Sequence, residues 1–542
     1  MPRRPLRASL PLLAALTLTL IFTGCSQRET AVDAGHRDQV IHFGNLGEPA
    51  DLDPQTVASQ QDFQIILNLI EGLTAYDPVD ARPVPGVAES WETSADGLTW
   101  TFHLRENAVW SNGDPVTAHD FVWSFQRMLS AGLGSEYAYL LHALARGAEY
   151  HQGTLKDFSQ VGIKAANDRT LVFTLDHPVP YLPALVAHSA WYPVHRPTIE
   201  KFGRMDQRGT LWTRPENFVG NGAFVLKEWK PNQVIVIAKS PTYWDRDKVR
   251  LQAAHIYPIE SSSTEEASFR SGQLHVTSQI PQGKIAVYKQ ENPQFLHQET
   301  NLATYFYRFN VTKPPLNDVR VRRALSMAID RQAIVEHVAQ GGQPPAFTLT
   351  PPNTGGYTAP AALTEDIEAA RKLLAEAGFP HGAGFPKMEI LYNTTEGHRM
   401  IAEAIQQMWR RNLNLEIGLY NQEAKVWSDT MRQMDYQIAR FAWVGDYPDA
   451  STFLDLMTST SGNNQTGWSN PDYDRLVREA TRTLDETERF DLYRQAEKIL
   501  MNESPIMPIY FYTRNNLRLP SVKGWHGNLL DLHPLKHVYL EP

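Results

Sequence analysis

Arg440 and Asp446 stand six residues apart in the stretch ARFAWVGDYPDASTF (Ala439–Phe453), with four apolar residues and a glycine between them. A charge in such surroundings is costly unless an opposite charge meets it. The stretch therefore demands something that keeps an acid and a base close without their neutralising only each other.

Known catalytic patterns do not supply the answer. The chain carries no GxSxG, HExxH, Walker A or dinucleotide fingerprint. Gly220-Asn-Gly222, followed by Ala223-Phe224, lacks the third glycine and reads as a tight turn into a strand. His533 and His537 share helical spacing, but Pro534 and the nearby chain end argue against a metal site. Asp51-Leu-Asp53-Pro54 reads as a turn. Neither a catalytic constellation nor a cofactor is indicated.

The elements around the stretch point to a ligand edge. From residue 388 the pattern predicts a strand (388–393), a helix (399–409), a strand (413–419), a helix (424–433) and a strand (436–443). Such alternation makes a parallel sheet with right-handed crossovers, which binds ligands beyond the carboxyl ends of its strands. His398 follows the first of these strands and Asp446 the last, so two residues 48 apart converge on one edge. Elsewhere, 98–104 alternates apolar and polar residues, and 171–175 and 234–238 read similarly. Helical patterns cover 318–338, 365–377 (Ile367, Ala370, Leu373 and Leu374 on one face, closed by Gly378) and two segments between 473 and 501.

Composition sets the class. The 542 residues are 42% apolar and 20% charged, as in a globular protein with more than one core. Arg3, Arg4 and Arg7 precede an apolar run from Leu10 to Phe22, which is too short for a comfortable membrane span and describes a secretory signal. The following SQRETAVDAGHRDQ looks like a flexible polar tether. Without residues 1–24 the chain loses three arginines and no acids, so its net charge moves from −9 to −12. That excess of acid argues against a nucleic-acid partner.

Two resemblances extend this reading. Phe22-Thr-Gly-Cys25 resembles the lipobox of bacterial lipoproteins, with phenylalanine where leucine is usual; it implies that Cys25, the only cysteine, is acylated and anchors the mature chain. Further along, Gly86-Val-Ala-Glu-Ser-Trp91, Thr101-Phe-His-Leu-Arg105, Trp110-Ser-Asn-Gly113, Pro115-Val-Thr-Ala-His-Asp-Phe121, Asn221-Gly-Ala223, Tyr243-Trp-Asp245 and Asn317-Asp-Val-Arg-Val-Arg322 follow in order. The set resembles the peptide-binding class of ABC-importer solute-binding proteins (extracellular solute-binding family 5), from about residue 40 to the C-terminus.

The resemblance implies an α/β, two-lobed periplasmic-binding-protein fold with an extra domain inserted in the first lobe. By carry-over, residues 40–70, 198–302 and 514–542 form the first lobe, 71–197 the inserted domain and 303–513 the second lobe, after a signal peptide (1–24) and tether (25–39). It implies a non-enzymatic, monomeric receptor in the periplasm or at the cell surface that gives oligopeptides to ABC permease subunits. A free peptide is a zwitterion, so Asp446 is expected to take its ammonium, and Arg440 and His398 its carboxylate. Trp443 and Tyr447 are expected as aromatic walls, and Tyr137 and Tyr305 match contact positions. Plainer roles are open to the same residues: Asp446 as a turn residue beside the N-cap candidate Asp449, Arg440 paired with a neighbouring acid, His398 as a helix start, Trp443 and Tyr447 as core. Trp427 reads as packing. Ala424, Ala58 and the Ala303/Val444 pair depart from the family's tryptophan, glutamate and cysteines, which implies a wider or differently shaped pocket. Relatives on this scaffold bind murein peptides, nickel or haem-type ligands. A secreted carbohydrate-active hydrolase would use the 13 tryptophans and many acids, yet the tryptophans are dispersed and no acid pair stands out.

Overall fold

A computed structural model describes residues 29–361 and 364–541. The signal sequence and Cys25 lie outside the described residues. No described helix is long and apolar enough to cross a membrane.

Three sheets carry the architecture. The first, in strand order Val40–Gly44, Ala253–Tyr257, Val234–Lys239, Phe224–Lys230, packs its apolar face with the helix Gln60–Leu69 around Ile41, Ile65, Ile66 and Ile237. The second is antiparallel, in the order Ala88–Thr93, Thr99–Leu104, Thr170–Thr174, Ile163–Asn167. Its Trp100, Phe102 and Leu104 are buried while Thr99, Thr101 and His103 are only half-buried, the alternation of a strand with one face on a core.

The third sheet holds the start of the Ala439–Phe453 stretch. Its strands are β1 (Leu296–Phe309), β2 (Met388–Asn393), β3 (Ile417–Gln422), β4 (Ile438–Val444) and β5 (Ile506–Leu517), in the order β3-β2-β4-β1-β5. β2 runs parallel to β3 and β4, as its crossover helices α1 (Glu396–Leu413) and α2 (Ala424–Arg432) require. β1 is antiparallel to both β4 and β5. Cores form around Tyr305, Ile390, Ile405 and Trp409, and around Phe306, Phe453, Tyr473 and Leu500. The long β1 and β5 also pair from Leu296↔Leu517 to Thr300↔Thr513, with a register irregularity before Thr304↔Phe511. Leu517 there joins a separate cluster with Phe269 and Leu274.

Three expectations differ from what is found. The segment read as a flexible tether contains a helix, Ala31–Asp38, closed by a Thr30/Asp33 capping box; Val32 and Gly35 are buried and His36 bonds Ser521 at 2.8 Å. The strand expected over 413–419 starts only at Ile417, because the preceding helix runs through Leu413 and ends on Asn414 in the left-handed region (φ 57°). The helix expected over 318–338 breaks: Val319–Met327 stops, Asp330 caps a new start by accepting the Ala333 N–H, and a π-turn covers Val335–Ala339.

Candidate functional site

A cavity of about 510 Å³ opens between the first and third sheet systems. Asp446 and Tyr137 both line it. Asp446 sits just past β4, where Gly445 donates its N–H to the Leu302 carbonyl at 2.8 Å and a Cβ would lie only 2.8 Å from the Leu302 side chain. The close approach explains a glycine here, and it turns the chain out of the strand. The Asp446 backbone N–H is held by Thr452 Oγ1 at 3.2 Å.

The half-buried carboxylate of Asp446 is unusual in its company. Burial raises its pKa above the ordinary 3.8, partly offset by a hydrogen bond donated by the Tyr139 hydroxyl. Among the described residues no basic side chain forms a salt bridge with it. Arg514, the arginine lining the same cavity, is already bonded to Asp531 at 2.9 Å. Three residues on, Asp449 behaves differently: it is buried, accepts the Ser451 N–H at 3.0 Å and the Tyr493 hydroxyl at 3.2 Å, and lies 3.6 Å from Arg489.

A second group gathers near the other end of β4. Arg440 is 9% exposed, and its guanidinium donates to Tyr512 Oη at 2.8 Å and Asn393 Oδ1 at 3.2 Å while lying 4.6 Å from the Tyr305 ring centre. Among the described residues no carboxylate pairs with it, and its Nε has no partner. His398 stands in the first turn of α1, capped by Thr395, and its Nδ1 lies 3.3 Å from the Tyr305 hydroxyl. Burial first, then the Arg440 charge, push its pKa down to about 4, so the imidazole is neutral at pH 7. An arginine without an acid, next to a helix N-terminus, is an arrangement that favours an anion.

The structure thus brings Arg440, His398 and Tyr305 together, and places Asp446 with Tyr137 on the cavity wall. Trp443 and Tyr447 are placed elsewhere. The Trp443 indole donates to the Thr452 carbonyl at 2.6 Å and packs on the Phe453 core, and Tyr447 stacks on Tyr181 with ring centres 5.1 Å apart. Trp427 stacks on Phe441, as packing. Tyr139, Tyr512 and Asn393 escaped the sequence reading. The alternation Tyr510-Phe-Tyr512 was the available signal, since residues two apart on a strand share a face. His533 does not meet His537 but bonds Asp531 at 3.1 Å and the His526 carbonyl at 3.0 Å.

The pairing of β2 with β4 ends at Leu391↔Ala439, so β4 beyond Ala439 has an edge free of β2, running between the two charged groups.

Comparisons with known proteins bear on family and fold. Residues 82–465 match the family model described as "Bacterial extracellular solute-binding proteins, family 5 Middle". The chain is 38% identical over 545 residues to the periplasmic oligopeptide-binding protein OppA of Salmonella typhimurium, covering 98% of this chain and 97% of that one. Its structure overlays the unliganded open form of the murein tripeptide-binding protein MppA with a TM-score of 0.86 at 36% identity, covering 93% and 97% of the two chains. Against Haemophilus influenzae OppA in complex with the peptide RPPGFSPFR the TM-score is 0.70 at 35% identity, covering 93% and 99%. The fold is the two-lobed periplasmic-binding-protein architecture with an extra domain inserted in the first lobe. The chain belongs to the bacterial extracellular solute-binding proteins of family 5, and it is a binding protein rather than an enzyme.

Proposed function

We propose that this protein captures oligopeptides between its lobes and presents them to the permease of an ABC importer. The observation that carries the reading is the Asp446 carboxylate: it faces the cavity, partly stripped of water, with a neutral Tyr139 hydroxyl as its side-chain partner. A peptide ammonium supplies the missing charge. The peptide carboxylate goes to Arg440 and His398, whose imidazole gains a proton there because the incoming charge raises its pKa. Between them the peptide backbone extends along the free edge of β4, which gives affinity that does not depend on sequence. The six residue steps from Arg440 to Asp446 span at most roughly 20 Å, a distance bridged by peptides of up to about five residues. Tyr137 contributes an aromatic wall, and Tyr305 holds Arg440 and His398 in place.

The lobes close by bending where β1 and β5 cross, at the irregularity between Thr300 and Thr304. In this account residues 40–70, 198–302 and 514–542 form one lobe, 303–513 the other and 71–197 the inserted domain. A monomer works in the periplasm or at the cell surface, tethered through acylated Cys25. The helix Ala31–Asp38 fixes the tether to the first lobe.

Calorimetric titration with tetra-alanine tests the reading: saturable binding is expected, and a control trisaccharide should give none. Absence of binding by every unmodified tri- to pentapeptide tried would contradict it. Murein peptides are the second reading, favoured by the overlay on the murein tripeptide-binding protein. A murein tripeptide that binds at least tenfold tighter than tri-alanine would select it.

A further inference from the structure

The cavity beside Asp446 has a wall whose chemistry is more selective than the ends of the ligand. Phe63, Leu67, Leu529, Leu530 and Leu532 line it and are all half-buried, so they turn apolar surface into the open space. Ala58 stands exposed on the same wall. Several polar groups in the lining are committed within the protein, although Asn301 Oδ1, an uncharged acceptor, has no partner among the described residues. Tyr76 donates its hydroxyl to the Ala184 carbonyl at 3.1 Å. His188 Nδ1 accepts the Ala190 N–H at 3.1 Å, and burial pushes that imidazole's pKa down to about 4, which leaves it uncharged at pH 7. Arg514 and Asp531 neutralise each other at 2.9 Å, and Gln60 bonds both. Asp446 is the one charge in the lining without a charged partner among the described residues.

Resting on the peptide reading above, we infer that this wall selects an uncharged, apolar side chain on the first or second residue of the peptide. The ammonium held by Asp446 brings those two side chains into the same cavity. A lysine there finds no free acid once Asp446 is occupied, and a glutamate finds no free base. An aliphatic chain instead covers the half-buried leucines and Phe63, which is worth about a tenfold or greater gain in affinity.

Norleucine has the four-carbon side chain of lysine without its terminal ammonium, so the pair isolates the effect of that charged group. Titration of the wild-type protein with tetra-alanine, and with tetra-alanine carrying norleucine or lysine at position one or two, reads it directly. The norleucine peptide should bind about tenfold tighter than the lysine peptide at one of the two positions. A difference below threefold at both, or a preference for lysine, overturns the inference. Binding of tetra-alanine with loss of both substituted peptides overturns it as well. Failure of all the peptides, tetra-alanine included, would instead remove the peptide reading on which it rests. Ala58→Glu places a carboxylate on this wall at an exposed position. The variant, checked for an unchanged thermal melt, should lose the norleucine advantage or reverse it. If the ratio stays as in the wild type, the side chain does not lie against this wall and the inference fails.

Discussion

Two aspartates three residues apart show how position decides the work of a carboxylate. Asp446 lies on the cavity wall with only a neutral hydroxyl, whereas Asp449 is consumed by Ser451, Tyr493 and Arg489. Sequence alone could separate them only in part. Asp449 reads as the N-cap of the short helix Ser451–Leu454; its side chain accepts the Ser451 N–H, but Ala450 holds the cap position. That Asp446 lacks a basic partner needed the tertiary structure, since any lysine or arginine of the chain might have folded against it. The same holds for Arg440, whose surroundings of Tyr305, Tyr512 and Asn393 come from three other strands. Trp443 and Tyr447 have contacts that the sequence does not show: the Trp443 indole bonds the Thr452 carbonyl and Tyr447 stacks on Tyr181. At this scale the carboxylate clamp is testable. Amidating the C-terminus of a bound peptide should weaken its affinity for the wild type by about tenfold to a hundredfold, the range of a charge-assisted pair. For Arg440→Met the free and amidated peptides should bind alike. An equal amidation penalty in that variant would remove Arg440 from the clamp.

Among the elements, the strand–helix–strand order from residue 388 was readable because each strand is short and bounded by clear turn or cap signals. Met388–Asn393 falls where the alternation places it. The errors came where a cap overrides a period. Leu413, Leu415 and Ile417 are all buried, so their spacing of two looked like a strand, yet Leu413 closes a helix and Asn414 takes the left-handed turn. The helix Ala31–Asp38 reads as tether from sequence because it is short and polar; its order comes from a capping box and from contacts with residues hundreds of positions away, such as His36 with Ser521. The loop after β4 depends likewise on Asp449. Asp449→Ala should lower unfolding stability by about 3 kcal/mol, because it leaves buried Arg489 without its acid and two donors without an acceptor. Denaturant titration checks this, and a loss under 1 kcal/mol would show that the loop is held elsewhere.

For the whole molecule, burial of histidine sets the response to acid. Burial pushes His42, His188, His297, His398 and His537 down to about 4 and His275 to about 3, from an ordinary value of 6.5. Between those values the unfolded chain binds more protons than the folded one, so stability is present above about 6.5 and is lost as pH falls toward 4. Glu265 and Asp455, raised to about 7 by burial, act oppositely: in the folded state they take up protons first, which offsets part of the loss. The histidines outnumber them, so the denaturant midpoint should drop between pH 7 and pH 5. An unchanged or higher midpoint at pH 5 would contradict the burial of these rings.

The central claim is that the Asp446 carboxylate waits, short of water, for a cation that the guest brings. Calorimetry with a free-amine tetrapeptide and its N-acetylated twin, on the wild type and on Asp446→Asn, addresses it most directly. Acetylation should cost the wild type at least a hundredfold in affinity and the variant almost nothing, with the unliganded variant melting no lower than the wild type. Equal affinity of the two peptides for the wild type would contradict the account.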